Sequence, residues 1–546
     1  MSEGGGSVVG GLQAAAPEAT VRAQPARARK RLLVVAAWIL VTVVAFCCYL
    51  RLAQTQAVDS DAASLALQAS DMLHGNLLLH GWWLADYSFY TTELQQYVLL
   101  ELVRGLNPDI VHVAAAMTYT LVLLFVVLLA KGTATGRAGA ARVLIAAGLM
   151  VAPQLAAVQT LLSSPDHFGT SVPVLAVFLI LDRAPRRPWV PVVVSVLLAW
   201  AAFGDPLVLL IGALPIALVC LLQPGSTGWV ARRWRPTWYF RAVGAGSLAA
   251  GAVAELALHL MRSVGGFVVW PLPFQPVYRL DALAHTLGVT GQGLLLLAGA
   301  DFLGLRPGAS AAAAYLHLAG AIVLGLGVLL AVRRFGRDLG FVDQILLTAV
   351  ALNLASYAFT NAALVIQDTH EIAAVLPLSA VLAARMLADR VLAIRFVPAV
   401  LLVVLAGYLA GLGTELAQPP APPQIQRLTS WLAAHHLHSG LSGYWLANVV
   451  TLTSGDRVRI RQLVVTRGLV VRYEWESAAA WYNPRQASAN FVMLCPTTSE
   501  SSGVTAGNAV LATFGPPALT YRVGACRVLV WRQNLLRKLS TTGSAW

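Results

Sequence analysis

Two carboxylates stand close together just after the first long apolar run of the chain, in the segment Asp59-Ser60-Asp61. A carboxylate at the mouth of a helix bundle can deprotonate an acceptor hydroxyl as a general base. It can also bind a cation beside a phosphate. Asp59 or Ser60 can equally well cap the helix that follows, because Asp and Ser are favoured N-cap residues. The spacing alone leaves these interpretations open.

A second polar segment, between Asp71 and Glu93, interleaves acidic and aromatic side chains. Aromatic faces can stack on the apolar faces of sugar rings, while carboxylates and amides bind sugar hydroxyls. An aromatic belt at the membrane interface has the same composition. The candidate binding residues of this segment are Asp86, Tyr90 and Glu93. Glu93 can turn towards a cavity, because it directly precedes the apolar run 94–102.

Two shorter polar segments, 163–167 and 367–371, flank other apolar runs, and their candidates are Asp166, His167, His370 and Glu371. Ionisable residues at the edge of a helix bundle are functional candidates by default, although solvated loop ends look the same. The spacing matches no established zinc pattern, so we predict no metal ligands and no cofactor, with a divalent cation as the one inorganic partner that the pattern allows. Further ionisable groups in apolar surroundings are Asp205, Glu255 and His259.

The elements that carry these segments are predicted to be membrane-spanning helices. Of the 546 residues, 58% are hydrophobic and only 12% are charged, whereas about 25% are charged in a typical soluble domain. Several apolar runs approach the ~20 residues needed to cross a bilayer. The first run lacks a cleavage site, so we predict that it is retained. The predicted spans, about eleven in number, lie at 32–50, 109–130, 143–161, 168–181, 189–203, 207–222, 242–260, 312–331, 341–359, 372–387 and 396–413.

The basic residues predict the orientation of these spans. The net charge of +13 does not indicate a nucleic-acid partner, because Lys and Arg are concentrated in short segments between apolar runs. With the N-terminus in the cytoplasm, 21 of the 38 Lys and Arg residues fall in cytoplasmic segments and five in external segments before the last span. This asymmetry follows the positive-inside rule. It predicts a multi-pass plasma-membrane protein with an extracytoplasmic C-terminus.

The same pattern divides the chain into parts. We predict a disordered cytoplasmic tail (1–31), a transmembrane domain (32–413), a Pro-rich linker (414–423) and an extracytoplasmic domain (424–546). External loops at 51–108 and 261–311 are long, and the apolar stretch 287–305 in the second dips into the membrane or lies on it. The last domain shows one amphipathic helix and several strand-like runs, which predicts a small α/β or mainly β domain; these elements are 425–438 for the helix and 448–453, 457–465, 469–473, 509–513 and 526–531 for the strands.

Cysteine usage adds one prediction about this domain. Cys495 and Cys526 are its two cysteines, whereas Cys47, Cys48 and Cys220 lie in apolar runs. An extracytoplasmic location permits disulfides. We therefore predict that Cys495 and Cys526 are close enough to form one.

Together, these features resemble the GT-C superfamily of integral membrane glycosyltransferases, over about residues 30–413. The likeness rests on a long first external loop that begins with Asp59 and Asp61, and on segments 75–82 and 86–93 within it. A late Leu-Pro-Leu pattern at 376–378 adds to it. The resemblance implies a GT-C-like bundle, and the run Gly443–Asn448 is similar to part of the external appendages of actinobacterial members.

The resemblance also implies a function. Members take a sugar from a polyprenyl-phosphate donor at the outer face of the bilayer and transfer it to a glycan, lipid or protein acceptor of the cell envelope. By this resemblance Asp59 is the base or acceptor-orienting acid and Asp61 its auxiliary, while the remaining candidates line the cavity. Many members place an Arg in the late loop, where this chain has His370 and Glu371, so His370 or Arg279 would contact the donor phosphate.

Two other functions stay open. A transporter or flippase of a lipid-linked glycan is the first, but transporters favour inverted repeats and binding sites near the bilayer midplane. This sequence shows no repeat, and its polar candidates fall at one face. A non-catalytic envelope assembly protein, with the C-terminal domain as its active part, is the second.

Overall fold

The structure of the protein is a computed structural model that describes residues 23–154, 156–222, 238–271, 275–277, 279–496 and 504–539. Helices dominate its N-terminal part. In chain order they are α1 (Ala23–Ala53), α2 (Ser60–Leu73), α3 (Leu94–Arg104), α4 (Asp109–Lys131), α5 (Gly136–Met150), α6 (Ala156–Leu162), α7 (Asp166–Gly169), α8 (Ser171–Arg183), α9 (Val190–Gly204), α10 (Leu214–Leu222), α11 (Trp238–Ser263), α12 (Leu280–Leu297), α13 (Ala309–Arg334), α14 (Phe341–Ala358), α15 (Val375–Ala393) and α16 (Val397–Leu416). A π-helical turn, Leu209–Ala213, precedes α10, and a 3₁₀ helix, Ile366–Ile372, precedes α15.

The helices are those of an integral membrane protein. Within the described residues, 7 helices are long and apolar enough to cross a membrane, or up to 9 if each of two bent pairs is one span. One pair is α6 with α7 and α8, bent by 69°, and the other is the 3₁₀ helix with α15, bent by 56°. The predicted polytopic helical fold is therefore confirmed, while the total of eleven spans stays a prediction.

Three predicted boundaries differ from the structure. The predicted span 143–161 is wrong as a single helix, because α5 ends before Pro153 and α6 begins after it; proline lacks an N–H and clashes with the preceding turn. The apolar stretch predicted at 287–305 belongs to α12 only up to Leu297, and this helix begins earlier and is itself long enough to span. Helix α1 begins within the predicted disordered tail, and residues 1–22 lie outside the described residues.

Buried charges mark one end of the bundle. The Arg385 guanidinium of α15 contacts Asp182 of α8 at 2.7 Å and Asp343 of α14 at 3.0 Å, and donates to the Leu129 carbonyl at 2.6 Å. Paired in this way, a buried charge is tolerated, whereas removing one partner is strongly destabilising. Asp182 lies at the C-terminal end of α8, Asp343 lies near the N-terminal end of α14, and Arg385 reaches both from the middle of α15. The candidate site residues lie just before the N-terminal ends of α8 and α15, at the opposite end of the bundle.

The C-terminal domain is α/β. Its sheet has the strand order β4-β3-β2-β6-β8-β7, and β2 runs parallel to β3 and β6 while the remaining pairs are antiparallel. Apart from β1 (Trp82–Trp83), which lies in the first loop, the elements are α17 (Gln424–Ala434), β2 (Ser439–Ser442), α18 (Tyr444–Thr453), β3 (Arg459–Thr466), β4 (Leu469–Arg472), β5 (Ser477–Ala478), β6 (Phe491–Leu494), α19 (Val504–Phe514), β7 (Leu519–Val523) and β8 (Cys526–Val530).

Two of the predicted strands of this domain are wrong. Residues 448–453 belong to helix α18, and residues 509–513 belong to helix α19. In a short apolar run, periodicity cannot distinguish a strand from a buried helix. Helix α18 is buried over the whole stretch from Leu446 to Leu452, between α2 and β3. Burial on every side removes the polar face that marks a helix in a sequence.

The predicted disulfide is confirmed. Cys495 and Cys526 are bonded, with Cα atoms 4.1 Å apart. The bond ties the residue after β6 to the first residue of β8, within the antiparallel pair that these strands form.

The C-terminal domain docks on the first long loop. Strand β1 pairs antiparallel with β5, so that Trp82 faces Ala478. The ring of Trp82 packs edge-on against that of Trp481 at 5.0 Å, and the indole N–H of Trp270 donates to the Glu474 carbonyl at 2.8 Å. These contacts bring the domain to the end of the bundle where the candidate residues lie.

Candidate active site

The N-terminus of α2 carries the first pair of predicted carboxylates. Asp59 is the N-cap of α2, and its Oδ1 accepts a hydrogen bond of 2.8 Å from the Ala62 N–H. The capping interpretation is therefore confirmed. The same carboxylate also lies where the charges of Asp61, Asp166 and His370 act on it. Capping thus leaves Asp59 inside a group of ionisable side chains rather than in bulk solvent.

Burial and negative neighbours make both carboxyls unusually weak acids. Burial, followed by the charge of Asp61, raises the pKa of Asp59 to about 7. Burial, followed by the charge of Asp166, raises the pKa of Asp61 to about 6, although a hydrogen bond from Tyr444 opposes this rise. A general base is most effective when its pKa lies near the operating pH. The pKa of Asp59 lies in that range.

The C-terminal domain supplies two side chains to which sequence reasoning assigned no role. The Tyr444 hydroxyl lies between the carboxyl groups of Asp61 and Glu476 and contacts both. The Ser60 hydroxyl donates to the Tyr444 carbonyl at 2.7 Å. Tyr444 stands in the distinctive run Gly443–Asn448, but only the docking of the domain brings it to α2.

A buried Asp–His pair forms a second part of the site. The carboxylate of Asp205, which is fully buried, contacts Nδ1 of His167 at 3.0 Å and accepts a hydrogen bond from Thr170. Its other oxygen accepts the Leu207 N–H at 2.8 Å. The pair directs Nε2 of His167 towards Glu371, 3.7 Å away. Asp205 was only a further ionisable group in the sequence, and its one signal was the break Gly204-Asp205-Pro206 between two apolar runs.

Glu371 links this pair to His370 and Tyr87. Its Oε1 accepts a hydrogen bond of 3.1 Å from the Tyr87 hydroxyl and lies 4.0 Å from Nε2 of His370. The rings of His167 and His370 are parallel, with centroids 5.5 Å apart. The structure thus brings most of the predicted residues together with Asp205 and Glu476. We call this group the acidic cluster: Asp59, Asp61, Asp86, Asp166, His167, Asp205, His370, Glu371 and Glu476.

One subset of the acidic cluster could hold a cation. Ligand atoms of His167, His370 and Glu371 all lie within 4.8 Å of one another. Two ligands of one ion, each about 2.0 to 2.2 Å from it, lie at most ~4.4 Å apart, so the set fits after small side-chain rotations. The bond from His167 to Asp205 follows the carboxylate–histidine–metal arrangement common in metal sites. Sequence spacing did not predict this set, because its members come from α7 and the 3₁₀ helix.

Glu93 is placed differently from the prediction. It is 0% exposed, and its side chain packs so closely on Gly169 that a Cβ at that glycine would collide with it. Burial raises the pKa of the Glu93 carboxyl well above its usual range. Glu93 is therefore buried behind the acidic cluster and does not line an open cavity.

The other candidates separate into one that joins the cluster and two that do not. Burial raises the pKa of Asp86 to about 6, against the opposing charge of His167. The Tyr90 hydroxyl donates to the Leu77 carbonyl at 2.7 Å, which gives it a structural role. Arg279 is exposed and paired with Asp281 at 2.7 Å, and no contact joins it to the acidic cluster in the described part of the chain.

A cavity of about 250 Å³ begins at Glu371 and Tyr87. Asn353, Ser356 and Tyr357 add polar groups to its wall, while Pro206 and the leucines that follow it, Leu207, Leu209 and Leu210, make it largely apolar. A space with a polar end and apolar walls suits a molecule with a polar head and a lipid tail. Among the described Lys and Arg residues, none bonds a carboxylate of the acidic cluster.

Comparisons with solved structures bear on the fold. ArnT from Cupriavidus metallidurans, in the apo state, is 13% identical, with a TM-score of 0.54, and the match covers 91% of this chain and 98% of that one. The oligosaccharyltransferase of Archaeoglobus fulgidus, in complex with Zn and sulfate, is also 13% identical, with a TM-score of 0.44 and coverage of 83% and 67%. No protein-family model matches the chain, and no curated protein matches its sequence. The likeness to ArnT shows that this chain has the same fold, in keeping with the resemblance stated from the sequence.

Proposed function

We propose that the protein is a membrane glycosyltransferase. It transfers a sugar from a polyprenyl-phosphate donor to a glycan, lipid or protein acceptor of the cell envelope, at the external face of the bilayer. The observation that carries the proposal is the acidic cluster, which gathers a carboxylate of raised pKa and an Asp–His pair beside a cavity at one end of the bundle. The shared fold with ArnT, a GT-C glycosyltransferase, supports it.

The chemistry follows from the named groups. Asp59 takes the proton of the acceptor hydroxyl, and the acceptor oxygen forms a new bond to the anomeric carbon of the sugar. The bond from that carbon to the phosphate oxygen breaks, and its electron pair leaves with the polyprenyl phosphate. Attack opposite to the leaving group inverts the configuration of the anomeric carbon.

The negative charge of the site creates a requirement of its own. A phosphate leaving group would be repelled by the carboxylates, and no described Lys or Arg offsets them. We propose that a divalent cation held by His167, His370 and Glu371 fills this need. An ion held by these residues would supply positive charge beside the departing phosphate. Asp205 keeps His167 in the tautomer and orientation that ligation requires.

The position of the site suits a lipid-linked donor. The cavity that starts at Glu371 continues between residues of the π-helical turn and α14, such as Leu209 and Tyr357. A lipid phosphate keeps its tail in the bilayer, so the reacting head must lie at the membrane boundary. The acidic cluster lies just before the N-terminal ends of α8 and α15, at one end of the bundle. A transporter favours a site near the midplane, so this placement favours the enzyme.

A deletion strain tests the proposal directly. We expect its envelope to lose one glycosidic linkage, and we expect the purified full-length protein in lipid nanodiscs to transfer sugar from the matching polyprenyl-phosphate donor with inversion. A deletion strain with unchanged envelope carbohydrate, together with a purified protein that transfers from no polyprenyl-phosphate donor, contradicts the proposal. Accumulation of a complete lipid-linked glycan on the cytoplasmic side would instead favour the flippase.

A further inference from the structure

The contact between Tyr444 and two carboxyl groups has a consequence for protons. The Tyr444 oxygen lies 2.5 Å from Oε2 of Glu476 and is also in hydrogen-bond contact with Oδ1 of Asp61. A tyrosine hydroxyl has one proton to donate, and its oxygen can accept others. One proton cannot satisfy both carboxylates. If both carboxyl groups were ionised, one of them would face the phenol oxygen with no proton between them, which is repulsive.

Asp61, Tyr444 and Glu476 together therefore hold one more proton than the same three side chains would hold in water at neutral pH. Burial, followed by the charge of Asp61, raises the pKa of Glu476 well above its usual range. The pKa of Asp61 rises less, to about 6. Glu476 is thus the carboxyl that keeps the extra proton. It donates to the Tyr444 oxygen, and Tyr444 donates to Asp61.

We propose that Tyr444 and Glu476 are positioning residues of the catalytic site, contributed by the C-terminal domain. The protonated Glu476 donates to Tyr444, and Tyr444 donates to Asp61, which stays ionised and oriented beside Asp59. The chain of three groups, which we call the proton chain, thereby sets the charge next to the proposed base. The inference rests on the proposed function for its activity measurements only.

The backbone supports a dedicated position for Glu476. Its φ is +48°, in the left-handed region that non-glycine residues rarely adopt. Such a conformation costs about 1 to 3 kcal/mol and persists only where the surroundings hold it. The following residues, Ser477 and Ala478, pair with the first loop as strand β5. The docking of the domain and the position of Glu476 are thus fixed by the same segment.

Other ionisable groups face the proton chain from every side. Asp59 precedes α2, Asp86 lies in the first loop, Asp166 begins α7, and His370 belongs to the 3₁₀ helix. Tyr97 of α3 and Tyr473 also lie within reach of Glu476. All the acidic neighbours raise the proton affinity of the proton chain. The charge of His370 has the opposite effect, because it lowers the pKa of Asp61. The charge at Asp61 in turn raises the proton affinity of Asp59.

An infrared measurement tests the extra proton without any turnover. The full-length protein in nanodiscs at pH 7.5 is compared with Glu476→Gln by infrared difference spectroscopy. An ordinary glutamate is ionised at this pH. We expect the wild type to show a protonated-carboxyl band that the variant lacks. We also expect the band to shift in Tyr444→Phe, because the acid loses its hydrogen-bond acceptor. A difference spectrum without this band overturns the proton chain.

The pH profile tests the positioning role. In Tyr444→Phe, Asp61 loses a hydrogen bond that favours its ionised form, so it takes a proton more readily. Asp59 then loses a negative neighbour and its pKa falls. We expect the acidic limb of kcat/KM to move down by roughly one pH unit, with a rate at neutral pH reduced about 10-fold or more. Glu476→Gln keeps a donor to Tyr444, so we expect the limb to move in the same direction but by less, with a smaller loss of rate than in Tyr444→Phe.

Tyr482→Phe is the matched control. Its hydroxyl donates to the Gln462 carbonyl at 2.8 Å and the Tyr473 carbonyl at 3.1 Å, inside the same domain and away from Asp61. If the acidic limb of the kcat/KM profile moves in Tyr444→Phe but not in Tyr482→Phe, the positioning role of Tyr444 is supported. If the acidic limb moves in neither variant, the positioning role is overturned. A wild type that transfers no sugar yet shows the Glu476-dependent band contradicts the proposed function alone and leaves the proton chain standing.

Discussion

Asp59 combines a structural and a proposed chemical role, and one substitution separates them. Asn caps a helix about as well as Asp, but it has neither charge nor basicity. We therefore expect Asp59→Asn to reduce sugar transfer by about 100- to 10,000-fold, the usual contribution of a general base. Expression and membrane insertion should stay unchanged, and the melting temperature should not fall. Transfer by the purified protein and its thermal unfolding are the two measurements.

The control for Asp59→Asn removes the same charge elsewhere. Asp456 of the C-terminal domain is paired with Arg459 at 2.8 Å on the surface, and surface ion pairs contribute little. We expect Asp456→Asn to transfer sugar at the wild-type rate. Equal rates for Asp59→Asn and the wild type would leave Asp59 as a cap only.

The raised pKa of Asp59 also predicts how stability changes with pH. The folded protein holds this proton up to about pH 7, whereas the unfolded chain releases it near 3.8. Stability linked to the proton is fully present below the unfolded pKa and is lost as pH rises through the folded pKa. We expect the wild type to melt at a lower temperature at pH 8 than at pH 5, and Asp59→Asn to show a smaller difference. Identical differences would contradict the raised pKa.

Asp205 offers a test of the proposed cation that does not remove a ligand. A chelator should abolish transfer, and added divalent cation should restore it. Asp205→Asn keeps all three ligands but weakens the orientation of His167, so we expect it to need about 10- to 100-fold more cation for half of full activity. Asp281→Asn, at an exposed carboxylate bonded to Arg279, is the control. Transfer that is indifferent to chelation contradicts the cation.

At the scale of elements, the sequence predicted those whose signal is local. Long apolar runs such as 109–130 appear as single helices because twenty apolar residues have few alternatives to spanning a membrane. The proximity of Asp166 and His370 to Asp59 followed from the alternation of spans, which places their segments on one side. Glu476 and Tyr444 could not be found in this way, because they reach α2 only through the pairing of β1 with β5. Asp205 could be recognised in the sequence as an ionisable residue, but only the fold shows that it contacts His167.

The contact between Glu93 and Gly169 gives a prediction at this scale. Gly169 of α7 leaves room for Glu93, which precedes α3, and a Cβ would collide with its carboxyl group. We expect Gly169→Ala to cost about 1 to 3 kcal/mol, as overpacking usually does, and to lower the melting temperature. In a Glu93→Ala background the same substitution should be nearly neutral, because contacting residues couple.

Gly148→Ala is the matched control for this pair. A Cβ at Gly148 meets its nearest neighbour, Cδ1 of Leu405, at 3.7 Å, which is an ordinary van der Waals contact. We expect a melting temperature close to that of the wild type. If Gly169→Ala lowers the melting temperature equally with and without Glu93, the destabilisation does not come from the contact between Glu93 and residue 169.

For the whole molecule, the orientation in the membrane is the main prediction. The charge asymmetry places residues 1–31 in the cytoplasm and the C-terminal domain outside. The structure puts that domain at the end of the bundle opposite the ion pairs of Arg385. We expect reporter fusions after Gly136 and after Pro423 to report opposite sides of the membrane, with Gly136 cytoplasmic. The same side for both would contradict the span pattern.

The contact between the C-terminal domain and α2 also determines when a newly made chain can act. Tyr444 and Asp61 are 383 residues apart, and a ribosome adding about 5 to 20 residues per second needs ~20 to 80 s to make the chain between them. In the predicted orientation the first loop lies outside during that interval, while Trp82 and Trp83 have no β-strand partner. The acidic cluster is complete only when the C-terminal domain has been made, has crossed the membrane and has docked. The activity proposed above is thus delayed until that domain is in place.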